Sequence, residues 1–293
     1  MPTLISDFTV VANQRKVPFE RQYQLILERG YIKVTRNPIS IGFLVTLAFM
    51  NTFLWASIYY NVDKQQYSLT GGSENKTITW NLMGLCFLMV QDMFINMCMG
   101  QVVAIPQTFP VFKREVSNGM FTPTVFYLAE STVQLMTFFW YPFLLTLCSI
   151  WFFGLPYMSF KGFCEWWGIL TLVCFCGSSF GFMMGCLFPS FNFAQIVAQN
   201  VIIIFALGAG FYTNSGSGAH WLNVFVSDIS PLFYGCEMML KRLLAGKNEH
   251  IQHELLSFFG YTQSNALCCF VLILFFCGFN LIGWFALCRQ AKQ

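Results

Sequence analysis

Residues 104 to 130 read Ala-Ile-Pro-Gln-Thr-Phe-Pro-Val-Phe-Lys-Arg-Glu-Val-Ser-Asn-Gly-Met-Phe-Thr-Pro-Thr-Val-Phe-Tyr-Leu-Ala-Glu. This stretch is a short polar island between two long apolar runs. Lys113, Arg114 and Glu115 are consecutive, Asn118 and Gly119 favour a turn, and the neighbouring prolines are expected to break helix. Because such dense charge is costly in hydrocarbon, the island is predicted to face water on one side of a membrane.

The composition is that of a membrane protein. Hydrophobic residues make up 56% of the chain and charged residues 10%, whereas soluble domains carry about 25% charged residues. The 35 phenylalanines suit lipid-facing helices better than a water-soluble core. A net charge of only +3 argues against nucleic acid as the partner.

The cysteines and histidines give no metal site. Ten of the 12 cysteines fall in or beside apolar runs, where cysteine behaves as a small hydrophobe. Cys164 and Cys236 alone lie in or near predicted loops, which makes them the candidate disulfide pair, with free thiols as the alternative. His250 and His253 have a spacing that could hold a metal but lack an evident third ligand, so we expect a solvated loop.

The first 38 residues are predicted to be a cytosolic lead that ends in an amphipathic helix. Residues 19–36 place apolar side chains near helical spacing with basic residues elsewhere, and Asn37 and Pro38 end the pattern. A basic amphipathic helix just before a span is expected to lie in the membrane interface. A soluble surface helix is the alternative.

Residues 39–293 are predicted to form an all-α membrane domain with six transmembrane helices. Each apolar segment can cross about 30 Å at about 1.5 Å per residue. The predicted spans are 39–60, 80–104, 125–153, 166–188, 193–213 and 265–288. In the loop 214–264, the segment 229–244 is too short and too charged to span, which favours a re-entrant helical outer loop before the last span.

Loop charges predict that both termini are cytosolic. Ten Lys and Arg residues then lie inside and six outside. The sequon at Asn75 falls in a loop that this topology places outside, so Asn75 is the predicted glycosylation site.

The motifs resemble one known family, the G subfamily of ABC transporters, whose half-transporters of the white, sterol and multidrug types have type-2 exporter permease domains. The order Val111 to Phe121, followed by Tyr127 to Glu130, is similar to the first cytosolic loop of that subfamily. The glycine cluster at 208–212 and the later pairs Ser230-Pro231 and Tyr234-Gly235 occur in the family's order. The resemblance covers about 19–289. The family often has a proline early in span three, where this chain reads Val133-Gln-Leu-Met, so a straighter helix is expected.

The resemblance implies a permease that works with an ATPase. Lys113, Arg114, Glu115 and Glu130 would couple it to the ATPase domain, with Glu130 expected to pair with Lys113 or Arg114. The phosphate-binding pattern G-x-x-x-x-G-K-[ST] does not occur in the sequence, so this chain alone is not expected to be an enzyme or to bind a cofactor. ATP and Mg²⁺ are expected on a nucleotide-binding domain outside it.

The resemblance also implies a substrate cavity between spans two and five of a homo- or heterodimer of half-transporters. Gln91, Phe94, Ile203 and Ala206 would line that cavity, and Phe211 and Tyr212 would close its outer end. Helix packing is the alternative for each position. Such a slot suits lipids, sterols or hydrophobic compounds. Asp92, within span two, either lines a path or makes a packing hydrogen bond, for which Asn96 is a candidate partner.

The function predicted from these observations is ATP-driven export across the plasma membrane or an endomembrane. One alternative is a truncated or stand-alone permease that recruits a separate ATPase or only binds a partner. The other is an unrelated multi-span channel or membrane enzyme. The absence of histidines from the apolar spans and the lack of a pore-loop repeat count against the last class.

Overall fold

A computed structural model describes residues 18–59, 74–153, 159–188, 190–212, 220–245, 256–257 and 259–291. The regular structure of these residues is α-helical. The first five helices are α1 (Phe19–Thr35), α2 (Pro38–Ile58), α3 (Glu74–Ser117), α4 (Pro123–Phe138) and α5 (Trp140–Phe153). The next five are α6 (Phe160–Leu187), α7 (Phe191–Gly208), α8 (His220–Ile229), α9 (Pro231–Leu244) and α10 (Asn265–Gln290).

Among the described residues, five helical stretches are long and apolar enough to cross a membrane. They are Asn81–Ser117, Pro123–Phe152, Phe160–Leu187, Phe191–Gly208 and Asn265–Gln290. The predicted first span, 39–60, coincides with α2, whose apolar part, Gly42–Ile58, is shorter. The all-α membrane class is therefore confirmed, while the count of six spans stays a prediction.

The helix that contains the predicted second span, α3, does not end at Pro106 or Pro110. Helix α3 continues through Pro106 and Pro110 to Ser117, so the expectation that these residues break helix is wrong. A helix-internal proline costs one backbone hydrogen bond, which tight packing of α3 on α6 can offset. The turn at Gly119 is present: φ is +70°, and Met120 N–H donates to the Glu115 carbonyl at 3.1 Å. Glycine tolerates that left-handed conformation at the end of a helix.

The helical hydrogen bonding of the third span is interrupted at one residue, which keeps helical backbone angles. α4 and α5 meet at Phe139, one residue before Trp140 begins the second helix. Pro142 has no N–H to donate to the Phe138 carbonyl four residues earlier, and the Cys174 thiol donates to that carbonyl at 3.6 Å. The expectation of a straighter span stays a prediction.

Helix α6 forms the centre of the bundle. Its glycines 177, 181 and 185 face α3, where an added Cβ would meet the backbone of Phe94 and Cys98 or the Ile105 side chain. These residues, one helical turn apart, let the two backbones approach closely. On the opposite side, Asn280 of α10 donates to Ser179 at 2.8 Å and accepts from Tyr127 at 2.9 Å. The spans are thus held by packing and by a polar bridge.

Two elements flank this bundle. Helix α1 coincides with the predicted amphipathic helix and packs on α4 through buried Ile26 and a 2.9 Å bond between Tyr23 Oη and Thr132 Oγ1. Helix α9 coincides with the predicted outer helix and is almost wholly buried. Ser230 caps it and donates to the Phe205 carbonyl at 2.6 Å, which ties it to α7. Its re-entrant character stays a prediction.

Candidate functional site

The polar island is joined to α1 by one ion pair. Arg29 Nη1 lies 2.7 Å from Glu115 Oε1, with side chains 52% and 19% exposed. An exposed pair of this kind contributes at most about 1 kcal/mol to stability. Its consequence is therefore geometric: it fixes α1 to the end of α3.

The other predicted coupling residues lie around this pair. Lys113 and Arg114 are exposed and make no ion pair within the described ranges. Glu130 is half-buried in α4, and its carboxyl interacts electrostatically with Lys33 and Arg29 of α1. The expected pairing of Glu130 with Lys113 or Arg114 is wrong, because α1 lies over the start of α4 and supplies the nearest cations.

Three aromatic rings of the polar island, at residues 112, 121 and 126, pack against one another. Phe112 and Phe121 are buried, and each ring packs on Phe126, with centroids 4.7 and 5.7 Å away. Contacts between aromatic rings at these distances add to the stabilisation that burial gives. The chain on both sides of the Gly119 turn is consequently held in place, so a displacement at Glu115 would move α3.

A groove lies between α3 and α7. Its cavity volume is about 440 Å³. The lining residues are Gln91, Ile95 and Met99 of α3, then Gln195, Gln199, Ile202, Ile203, Ala206 and Leu207 of α7, and Tyr212. Those of α3 recur every four residues, which places them on one face of that helix.

The groove brings together most of the residues predicted for a substrate cavity. Gln91, Ile203, Ala206 and Tyr212 all line it, and their roles stay predictions. Phe94 does not line it. Its ring is buried in the bundle core, with centroids 5.7 Å from Phe180 and 6.0 Å from Phe205.

Sequence reasoning also left groove residues unassigned. The resemblance predicts that Gln91 and Phe94, three residues apart, face the cavity, but the groove face of α3 runs through Ile95 and Met99, four and eight residues after Gln91. Gln195 and Gln199 were missed too, although two glutamines one turn apart on an apolar helix are a readable signal.

The predicted outer gate is partly built into the core. The Phe211 ring stacks on Phe87 with centroids 5.0 Å apart and planes 11° apart. Tyr212 is 61% exposed and meets the same Phe87 ring edge-on at 5.4 Å. Phe87 thus supports both side chains at one end of the groove.

Asp92 makes packing hydrogen bonds. Its Oδ1 accepts from Asn51 at 2.8 Å and from Asn96 at 2.7 Å, and its Oδ2 accepts from Tyr141 at 3.1 Å. These donors come from α2, α3 and α5. The predicted contact with Asn96 is confirmed, and of the two interpretations given for Asp92 the packing role fits these contacts.

Glu237 and Lys241 form an ion pair within α9, and both bond to Gln263, two residues before α10 begins. Glu237 is completely buried, and its Oε1 lies 2.6 Å from Lys241 Nζ and accepts from the Gln263 N–H at 2.7 Å. Next to Lys241, Arg242 Nε lies 2.7 Å from Glu165 Oε2 of α6. Two adjacent cations therefore anchor α9 in two directions.

The predicted disulfide between Cys164 and Cys236 is not formed in the structure. Cys164 is exposed, Cys236 is buried, and both are free thiols. Within the described ranges, no group of three or more His, Cys, Asp or Glu residues could hold a metal. The Asn75 side chain, His250 and His253 lie outside the described residues.

Comparisons with known proteins agree on one family. A family model described as "ABC-2 type transporter" matches residues 21–244. "Protein white" of Drosophila melanogaster is 25% identical over 225 residues, 77% of this chain and 31% of that protein. "Protein white" of Ceratitis capitata is 26% identical over 202 residues, 69% and 28% of the two chains. "ABC transporter G family member 1" of Dictyostelium discoideum is 22% identical over 207 residues, 70% and 25%. The chain spans about a quarter to a third of the length of these curated relatives.

Proposed function

The chain belongs to the ABC-2 type transporter family, and we propose that it is the membrane-spanning permease part of an ATP-driven exporter. The resemblance to the G subfamily agrees with the relatives matched, which include a G family member. The ATPase domain that would bind ATP and Mg²⁺ lies outside this sequence. The cargo would be lipids, sterols or other hydrophobic compounds.

The observation that carries this proposal is the Arg29–Glu115 ion pair. Helix α3 is continuous from Gln91, in the groove, to Glu115, a distance of about 36 Å at about 1.5 Å per residue. A movement of α1 would therefore reach one wall of the groove through a single helix. Closure of the ATPase domains would act on α1 and on Lys113, Arg114 and Glu115, and α3 would then shift against α7.

The remaining topology belongs to the same proposal. Helix α2 would be the first of six spans, α9 a re-entrant outer helix, and both termini cytosolic. A second half-transporter, identical or different, would complete the cavity that each groove half-encloses. Asn75 would carry a glycan on the outer side, and the membrane would be the plasma membrane or an endomembrane.

The test is a charge swap in the complete assembly, with its ATPase, in proteoliposomes. Arg29→Glu and Glu115→Arg each place like charges together, so we expect ATP hydrolysis to continue while transport per ATP hydrolysed falls. The double variant restores the pair with reversed polarity and should recover most of the transport. Glu20→Arg, an exposed charge reversal on the same helix, is the matched control. Single variants that transport normally would remove the coupling role.

Recruitment of a separate ATPase is the alternative, and the size of the native polypeptide distinguishes it. A band near 33.6 kDa would indicate a separate ATPase chain. A band of roughly 60–70 kDa would indicate an ATPase domain of about 250 residues on the same polypeptide.

A further inference from the structure

Three glutamine side chains in the groove have no hydrogen-bond partner within the described part of the chain. Gln91 lies on α3, and Gln195 and Gln199 lie on α7. The neighbouring amide behaves differently, since Asn200 Nδ2 donates to the Ile196 carbonyl of its own helix at 2.8 Å. Three amide groups that make no hydrogen bond among the described residues therefore lie in one groove.

An unused amide is costly on a membrane-spanning helix. Gln91 and Gln195 are half-buried and Gln199 is exposed in this chain, so lipid or an occupant of the groove would cover them, and covering an amide without a partner costs about 1–3 kcal/mol. Polar side chains in spans accordingly face protein, a water-filled cavity or a ligand. Glutamines on both walls of one groove therefore indicate that its occupant supplies hydrogen-bonding groups.

The placement of the amides restricts what that occupant can be. Gln195 and Gln199 are one turn apart on α7, about 6 Å along the helix, and Gln91 lies on the facing wall toward the Tyr212 end of the groove, away from Gln195. The rest of the lining includes apolar Ile95, Met99 and Leu207. Each amide offers both a donor and an acceptor and carries no charge. A neutral ligand with an apolar body and two or more polar groups matches this surface.

We propose that Gln91, Gln195 and Gln199 select the cargo, favouring neutral amphipathic compounds with at least two hydrogen-bonding groups over hydrocarbons of the same size. This inference rests on the proposed function, because it assigns cargo to the groove between α3 and α7. It narrows the cargo class, since a flat apolar shape alone would leave the amides unpaired. The main competing occupant is a second copy of this chain, whose own glutamines could pair with these.

The test compares two flat probes that differ in polarity, 1-pyrenecarboxamide and 1-ethylpyrene. The full chain is placed in lipid nanodiscs, and binding is followed by pyrene fluorescence anisotropy against empty nanodiscs. The wild type should bind the carboxamide more tightly than 1-ethylpyrene. Because one carboxamide can reach only the amides at one end of the groove, at least one of Gln91→Leu, Gln195→Leu and Gln199→Leu should weaken carboxamide binding by about 2- to 10-fold, the loss of one hydrogen bond. Affinity for 1-ethylpyrene should not fall.

Gln101→Leu is the matched control. Gln101 lies on α3 but is buried outside the groove, so this variant should leave both affinities unchanged. Equal binding of the two probes by the wild type, or equal loss of both in the leucine variants, would overturn the proposal. Leucine variants that change only the dimer fraction in mass photometry would assign the amides to a second copy and also overturn it. If Arg29→Glu and Glu115→Arg still lost transport singly and recovered it together, either of these results would leave the proposed function intact.

Discussion

Replacing Lys241 with methionine should strongly destabilise the fold. Glu237 is completely buried, and the Lys241 ammonium at 2.6 Å is its only ion-pair partner among the described residues. The carboxylate would retain the Gln263 N–H at 2.7 Å and the Cys268 thiol at 3.5 Å. Two neutral donors cannot replace a cation in an apolar environment.

The size of the effect follows from this geometry. Breaking a buried ion pair by removing one partner costs about 3–5 kcal/mol. The Lys241 side chain is 18% exposed, which favours the lower end because water partly screens the pair. At about 2–4 °C per kcal/mol, the unfolding midpoint should fall by about 6–20 °C.

Removing both charges should restore part of this loss. In the Glu237→Met/Lys241→Met variant no carboxylate remains. The Gln263 carbonyl loses its donor in both variants, so the added cost is the unpaired Gln263 N–H, at most about 1–3 kcal/mol, which is less than the roughly 3–5 kcal/mol of the broken ion pair. Thermal unfolding of the purified chain in detergent, followed by tryptophan fluorescence, measures all variants. Lys113→Met, which removes an exposed lysine, is the control. A single variant within about 2 °C of the wild type, or a double variant less stable than the single, would refute the reasoning.

Three further substitutions test the packing of the bundle. Phe94→Ala should lower the free energy of unfolding by about 3–5 kcal/mol, because the ring is fully buried; chemical denaturation in detergent measures it. Gly181→Leu should reduce the monodisperse yield in size-exclusion chromatography, because its side chain would meet the Cys98 backbone, whereas Gly278→Leu has open space and should not. Asp92→Leu should lower the unfolding midpoint more than Asp92→Asn, because leucine removes the acceptor of Asn51, Asn96 and Tyr141, of which only Asn96 has a second acceptor, Tyr141 Oη. An unchanged free energy of unfolding would contradict the first, equal monodisperse yields of Gly181→Leu and Gly278→Leu the second, and equal midpoints of the two Asp92 variants the third.

The sequence predicted the elements that depend on local patterns. Apolar length marked the helices, and amphipathic spacing marked α1 to within a residue of its end at Thr35. Asn118 and Gly119 predicted a turn that Gly119 makes with φ at +70°. Helix ends were less predictable, because a proline's effect depends on what packs around it. Pro106 is accommodated inside α3, whereas Pro142 accompanies the break at Phe139.

The candidate site was predictable as a region but not in its pairing. The polar island identified Glu115, yet its partner Arg29 lies 86 residues away and depends on how α1 crosses the bundle. The same crossing explains the incorrect partner for Glu130. In the groove, spacings of three and four residues both lie near one helix face, so the rotation of α3 decides that Ile95 lines the groove and Phe94 does not.

ATP dependence of cargo movement tests the central claim most directly. Inside-out vesicles carrying the native assembly, with its ATPase, would be supplied with a fluorescent sterol and with 1-pyrenecarboxamide. We expect at least one probe to accumulate with ATP and Mg²⁺, and accumulation to stop with a non-hydrolysable analogue or in Glu115→Arg vesicles. Accumulation that is independent of ATP, or no ATP-dependent movement of either probe, would contradict the account.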